Sequence, residues 1–298
     1  MTSAHKVWLV ARIELASALR NRRALVVTLL FLATAALVMY GTVSAFAAME
    51  RELLAAMHLP ASDNPGAVTT ALWKSPIFTR TISHLSGDNL VLADIVGRHP
   101  VVLAYAFFIF QVVPLLTLMV SASSIADELH SGAARYWLVR VTRSEWSLGK
   151  FLGEALMLAL AMLVGALAAW AVMLWRLPGF SAAGLLPGIV DWSLRAWAYA
   201  FAWLGLFMGI SHVARSGGKA RAFGILAMMA AAAWTPMLRN FSEQLPWLVN
   251  FEIFVPQSAM SLMWRRAPGA LCLGAVQLAA LATFYLAIGA SRFRRRDV

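Results

Sequence analysis

The residues best equipped for chemistry in this chain lie in one polar stretch. It runs from Asp127-Glu128-Leu129-His130-Ser131-Gly132 to Arg143-Ser144-Glu145-Trp146-Ser147-Leu148-Gly149-Lys150. Acids, bases and a histidine occur there together, yet their spacing matches no catalytic motif. Gly149-Lys150, like Gly218-Lys219, lacks the upstream glycine and the following Ser or Thr of a phosphate-cradling loop. The chain itself is therefore not expected to bind or hydrolyse ATP. Neither an H-E-x-x-H pair nor a G-x-S-x-G elbow occurs, which leaves no metalloprotease or serine-hydrolase chemistry to assign. The single cysteine, Cys272, excludes an intramolecular disulfide and a cysteine metal cage. Met49, Met57, His58, His84, His99, Met260 and Met263 are soft donors, but they form no tight motif, and no metal site is expected. What remains for the polar stretch is charged docking: a handle that a partner protein can hold.

The elements around this handle are set by a second solvent. Of 298 residues, 61% are hydrophobic and 13% charged, against about 45–50% and about 25% in soluble domains. A bilayer crossing needs about 20 apolar residues. Six runs meet that length: residues 24–46, 100–124, 151–175, 194–213, 222–238 and 270–290. Rich in Ala, Leu, Val and Met, and without period-2 alternation, they predict helices rather than barrel strands. Helices also satisfy every backbone group within the segment, as lipid requires. The expectation is one all-α integral membrane domain over residues 1–298, with residues 125–150 forming a loop at one membrane face. Ala45-Phe46-Ala47 resembles a signal cleavage site, but the apolar run before it is too long for a signal peptide.

Basic residues orient the bundle. With the N-terminus inside, the inner segments hold Lys6, Arg12, Arg20, Arg22 and Arg23; then Arg135, Arg140, Arg143 and Lys150; then Arg215, Lys219 and Arg221; then Arg292, Arg294, Arg295 and Arg296. The outer segments are longer and hold fewer: Arg51, Lys74, Arg80, Arg98, Arg176, Arg195, Arg239, Arg265 and Arg266. This bias predicts N-in, C-in, and it accounts for the net charge of +11 without nucleic acid. Residues 5–20 read as an interfacial helix, with Val7, Trp8, Ala11, Leu15, Ala18 and Leu19 on one arc and Lys6, Glu14, Ser17 and Arg20 opposite. Residues 47–99, broken by Pro and Gly, predict a small external cap. Residues 239–269 predict short external helices dipping into the outer leaflet.

Ionisable groups at mid-membrane depth mark proton and ion relays. The span centres hold neutral Gln111 and Gln277 instead, with Glu154 near one end. A self-contained ion-coupled transporter would be expected to carry more. Gln111 and Trp234 are candidates for lining a substrate path.

With these spans, the interfacial helix and the polar stretch, the chain resembles the membrane permease of type-2 ATP-binding-cassette exporters. The pattern is an acidic residue, a Gly, a hydrophobic stretch, a basic residue, then Gly-Lys opening the third span. Here these are Glu128, Gly132, Tyr136-Trp137-Leu138-Val139, Arg143 and Gly149-Lys150, followed at the far end by Arg292-Phe293-Arg294-Arg295-Arg296-Asp297. One departure stands out: Val141-Thr142 occupies the place where members often carry a proline before the basic residue. A narrower similarity, to permeases accompanying nitrous-oxide-reductase maturation, does not set the substrate. The resemblance implies a multi-pass protein of the bacterial cytoplasmic (inner) membrane that pairs with a second permease copy, as a homodimer or heterodimer. It implies docking on separate cytoplasmic ATPase subunits, which bind the ATP and Mg. It implies that Glu128, Gly132, Arg135, Arg143 and Lys150 form the coupling region, with Glu128 and Arg135 facing the ATPase. Trp8, Arg12 and Arg20 of the interfacial helix would add the other contact. A secondary transporter, or a membrane scaffold for a periplasmic partner, is the competing expectation.

Overall fold

A computed structural model describes residues 2–20, 22–56, 58, 75, 98–177, 182–241 and 246–294. The described residues are almost all helical, with no strand among them. In chain order they form α1 (Ser3–Arg20), α2 (Arg22–Ala56), α3 (Pro100–Ser121), α4 (Ser124–Ser131), α5 (Ala134–Leu138), α6 (Arg143–Arg176), α7 (Ala182–Val213) and α8 (Gly217–Phe241). Two 3₁₀ segments, Pro246–Phe254 and Pro256–Ala259, lead to α9 (Met260–Trp264) and α10 (Pro268–Arg294). Among the described residues six helical segments, containing α2, α3, α6, α7, α8 and α10, are long and apolar enough to cross a membrane.

Each long helix divides its apolar residues between protein and lipid. On α2, Phe31, Ala35, Met39 and Val43 recur every four residues and are buried, which makes one stripe against the bundle. Leu29, Leu30 and Leu37 face away from it, and Leu37 is 70% exposed. An exposed face this apolar is stable only against hydrocarbon or another apolar protein surface. α2 and α6 run in the same sense: Phe31 packs at Gly165, and Arg176 donates to Ser44 Oγ over 3.1 Å. α7 and α10 also run together, with the backbones of Gly209 and Gly289 in contact, an approach that small residues permit. At the start of α3, Pro100 occupies the first turn and His99 Nδ1 accepts from the Val101 N–H over 3.3 Å.

Several boundaries differ from those read along the sequence. α2 continues through Ala56, so residues 47–56 belong to the first long helix rather than to the external cap. The remainder of that cap, apart from Ser75, His58 and residues 98–99, lies outside the described residues. α7 starts at Ala182, not 194, and carries Asp191 and Arg195 within it. α6 starts at Arg143, not 151, so Arg143–Lys150 is the first two turns of a helix rather than loop. In each case charged residues lengthen the helix past its apolar window. Hydropathy therefore underestimates the helix. The short helices anticipated within residues 239–269 are present.

Candidate coupling site

The polar stretch folds as two short helices and the head of a long one. α4 ends at Gly132, whose φ of 76° is the left-handed cap that a residue with Cβ adopts at a cost. After α5 the chain enters α6 through a reciprocal capping box. Thr142 Oγ1 accepts from the Glu145 N–H over 3.3 Å, and Glu145 Oε2 accepts from the Thr142 N–H over 2.8 Å. This box fixes the turn at Val141-Thr142 without a proline.

Two turns into α6 stands Lys150, with only 1% of its side chain exposed. Its Nζ lies 2.9 Å from Glu14 Oε2 on α1 and 2.8 Å from Glu128 Oε1 on α4. An ammonium out of water is tolerated only with such partners. Lys150 and its two carboxylate partners come from three helices, so the ion site joins them. α1 reaches it by lying lengthwise on α6 in the same sense. Lys6 sits 3.8 Å from Glu145, Val7 and Val10 pack at Gly149, and Ala11 and Glu14 pack at Gly153. Gly149 and Gly153 are one turn apart and form a small-xxx-small surface on which another helix backbone can rest. The face that α1 turns to the bundle therefore includes Glu14, which the sequence placed on the polar arc. Trp8 and Leu19 point away instead.

α4 is the hub of this end. The Ala126 N–H donates to Ser211 Oγ on α7 over 2.9 Å. Arg221 on α8 donates to Ser123 Oγ over 2.9 Å and sits 3.8 Å from Asp127. Beside α6, the buried His212 meets Ser147 Oγ at 3.0 Å and the Met208 carbonyl at 2.8 Å. A cavity of about 250 Å³ opens between these elements, lined by Glu14, Asp127, Glu128, Lys150, Arg221 and the buried Glu154 among others. The site thus pairs a tight ionic joint with free space next to it.

The structure separates the residues singled out from sequence. Glu128 and Lys150 come together and face each other, so Glu128 turns inward rather than outward with Arg135. Arg143 also turns back: it donates to the Phe293 carbonyl over 2.8 Å, with its guanidinium 4.9 Å above the Phe293 ring. Arg135 is exposed on α5, beside Tyr136 and Val139, which are 83% and 86% exposed. Trp8, Arg12 and Arg20 lie on exposed positions of α1, away from the Lys150 site. Gln111 and Trp234 occupy exposed positions of α3 and α8. Sequence reading missed Glu14, the Gly149–Gly153 surface and the capping box. Thr142-x-x-Glu145 and Gly149-x-x-x-Gly153 were both visible as motifs. Nothing in the sequence pointed to Glu14 as the partner of a lysine 136 residues away.

Among the described residues six helices are long and apolar enough to cross a membrane, which marks a multi-pass membrane protein. The chain matches the model of the ABC-2 family transporter proteins over residues 8–298, and it belongs to that family. It is a membrane component of an ABC transporter. The match is to the family as a whole and lends nothing to the narrower nitrous-oxide likeness. Comparison with curated proteins gives no match.

Proposed function

We propose that this chain is the permease subunit of an ATP-driven exporter. It works as a pair of permeases in a bacterial inner membrane, with a separate cytoplasmic ATPase supplying the energy. α4, α5 and both termini face the cytoplasm, a reading supported by the basic residues gathered at that end. The observation that carries the coupling role is the contrast within the polar stretch. α5 and the turn after it expose Arg135, Tyr136, Val139 and Arg140, while α4 and its N-cap, just before, are held to α6, α7 and α8. A partner gripping α5 pulls on α4, and through Lys150 on α6. ATP binding biases the permease only through contacts that differ between its states, and this linkage supplies them.

The test is co-purification with an ABC ATPase encoded beside this chain, followed by ATP hydrolysis in proteoliposomes. Val139→Asp should weaken the complex, and Tyr136→Ala should lower the hydrolysis that the permease stimulates. If neither changes binding or hydrolysis, docking occurs elsewhere. Transport by the purified chain in liposomes without any ATPase would overturn the proposal.

A further inference from the structure

One carboxylate at the Lys150 cavity is left out of the joint. Glu154 is 5% exposed and makes no ion pair among the described residues. Its side chain hydrogen-bonds with that of Ser124, at the head of α4. The charges facing it are already matched. Glu14 of α1 and Glu128 of α4 share Lys150, and Arg221 of α8 lies 3.8 Å from Asp127 of α4. An acid buried without a cation beside it is costly, so packing alone does not account for a glutamate here.

What distinguishes Glu154 is its place on α6. It stands one turn beyond Lys150, and side chains four apart on a helix are neighbours, with Cβ atoms about 5–6 Å apart. Both residues line the same cavity of about 250 Å³. A rotation of the Lys150 side chain through that space can carry Nζ from Glu128 to Glu154 without repacking a helix. Glu14 and Glu128 belong to other helices and leave with them. Glu154 belongs to the helix of Lys150 and stays.

We propose that Glu154 is the reserve partner of Lys150. When α4 moves and takes Glu128 away, the ammonium swings one turn along α6 and pairs with Glu154. Without a second carboxylate, the moved state would hold a buried cation short of partners, and α4 would be locked in place. With it, two positions of α4 become close in free energy, which a partner's binding can then bias. The exchange of partners is a property of this chain alone. Its use in transport rests on the reading of α5 as the docking helix.

Glu154 is removed first where it is idle and then where it is needed. The full-length protein is followed in detergent by melting temperature and by its folded gel-filtration peak. Glu154→Gln alone should keep the wild-type melting temperature, because the amide retains a partner in Ser124 and no ion pair is lost. The double variant Glu14→Gln with Glu128→Gln should stay folded at a lower melting temperature, with Lys150 on Glu154. Adding Glu154→Gln to that double variant should abolish the folded peak, and Lys150→Met added last should restore it. Equal effects of Glu154→Gln in the wild-type and double-variant backgrounds overturn the proposal. So does unfolding of the double variant while Glu154 is still present, or failure of Lys150→Met to restore the peak. None of these measurements involves an ATPase, so a failure of docking at α5 leaves their result standing.

Discussion

The two ends of α3 carry ion clusters of opposite design. Beyond its C-terminal end, the cation Lys150 sits between the carboxylates of Glu14 and Glu128. At its N-terminal end the carboxylate of Asp191 sits between Arg98 and Arg195, 2.8 Å from each. The Asp191 cluster is braced. Asp191 and Arg195 are one turn apart on α7, so that pair forms as the helix forms. Arg195 also donates to the carbonyls of Met263 and Arg265, over 2.8 and 2.6 Å. Trp192 is flanked by both guanidiniums, at 4.7 and 5.0 Å, and packs 4.6 Å from Trp264. The Lys150 cluster has no helix-local pair and borders a cavity. Its three members stay together only while α1, α4 and α6 keep their places. One end is therefore a brace and the other a joint, and the joint lies beside the proposed docking helix.

The largest expected effect comes from breaking the joint. Lys150→Met strands two carboxylates at a site where the lysine was almost wholly buried, and should cost about 3–5 kcal/mol. The readout is the melting temperature in detergent, or loss of the folded peak. Adding Glu14→Gln and Glu128→Gln to that variant should recover much of the loss. No recovery would mean that packing rather than charge holds the joint.

Next, Gly153→Leu forces α1 off α6 and should cost about 1–3 kcal/mol by overpacking, with increased proteolysis near the N-terminus as a second readout. A variant as stable and as resistant as wild type would detach α1 from the joint.

At the braced end, Asp191→Asn should cost only about 1 kcal/mol. Its side chain is 38% exposed, water screens the pair, and Arg195 keeps its carbonyl partners. A loss equal to that of Lys150→Met would erase the distinction between the two ends. The smallest stability change belongs to Tyr136→Ala, within about 0.5 kcal/mol, because the ring touches little. Its effect should appear in ATP hydrolysis alone, which separates docking from folding.

Much of this architecture was legible because the bilayer constrains contiguous sequence. Leu25–Phe46 and Leu271–Ala290 hold no charged residue, and any window detects them. The Arg143–Lys150 segment was read as loop because a window counts its charges and cannot see that Thr142 and Glu145 cap a helix there. The residues proposed for coupling lie in one stretch of sequence, but the structure turns them different ways. Glu128 and Arg135 both read as outward charges, and nothing local distinguishes a carboxylate facing water from one facing a lysine on another helix. Trp8 and Glu14 were likewise assigned to opposite faces of α1 by an apolar arc. The arc describes which side prefers lipid, and α1 instead meets protein through Val10, Ala11 and Glu14.

By itself, the sequence determined that this is a multi-pass membrane protein and which family it belongs to. The first follows from transfer free energies that add along the chain. Only the tertiary structure decided that Lys150 is shared between Glu14 and Glu128, that Arg143 turns back to Phe293, and that α5 is left to face outward. The physical reason is range. An ion pair has its full strength only near 3 Å in a water-poor site, and residues 136 positions apart reach that distance only after the helices have packed.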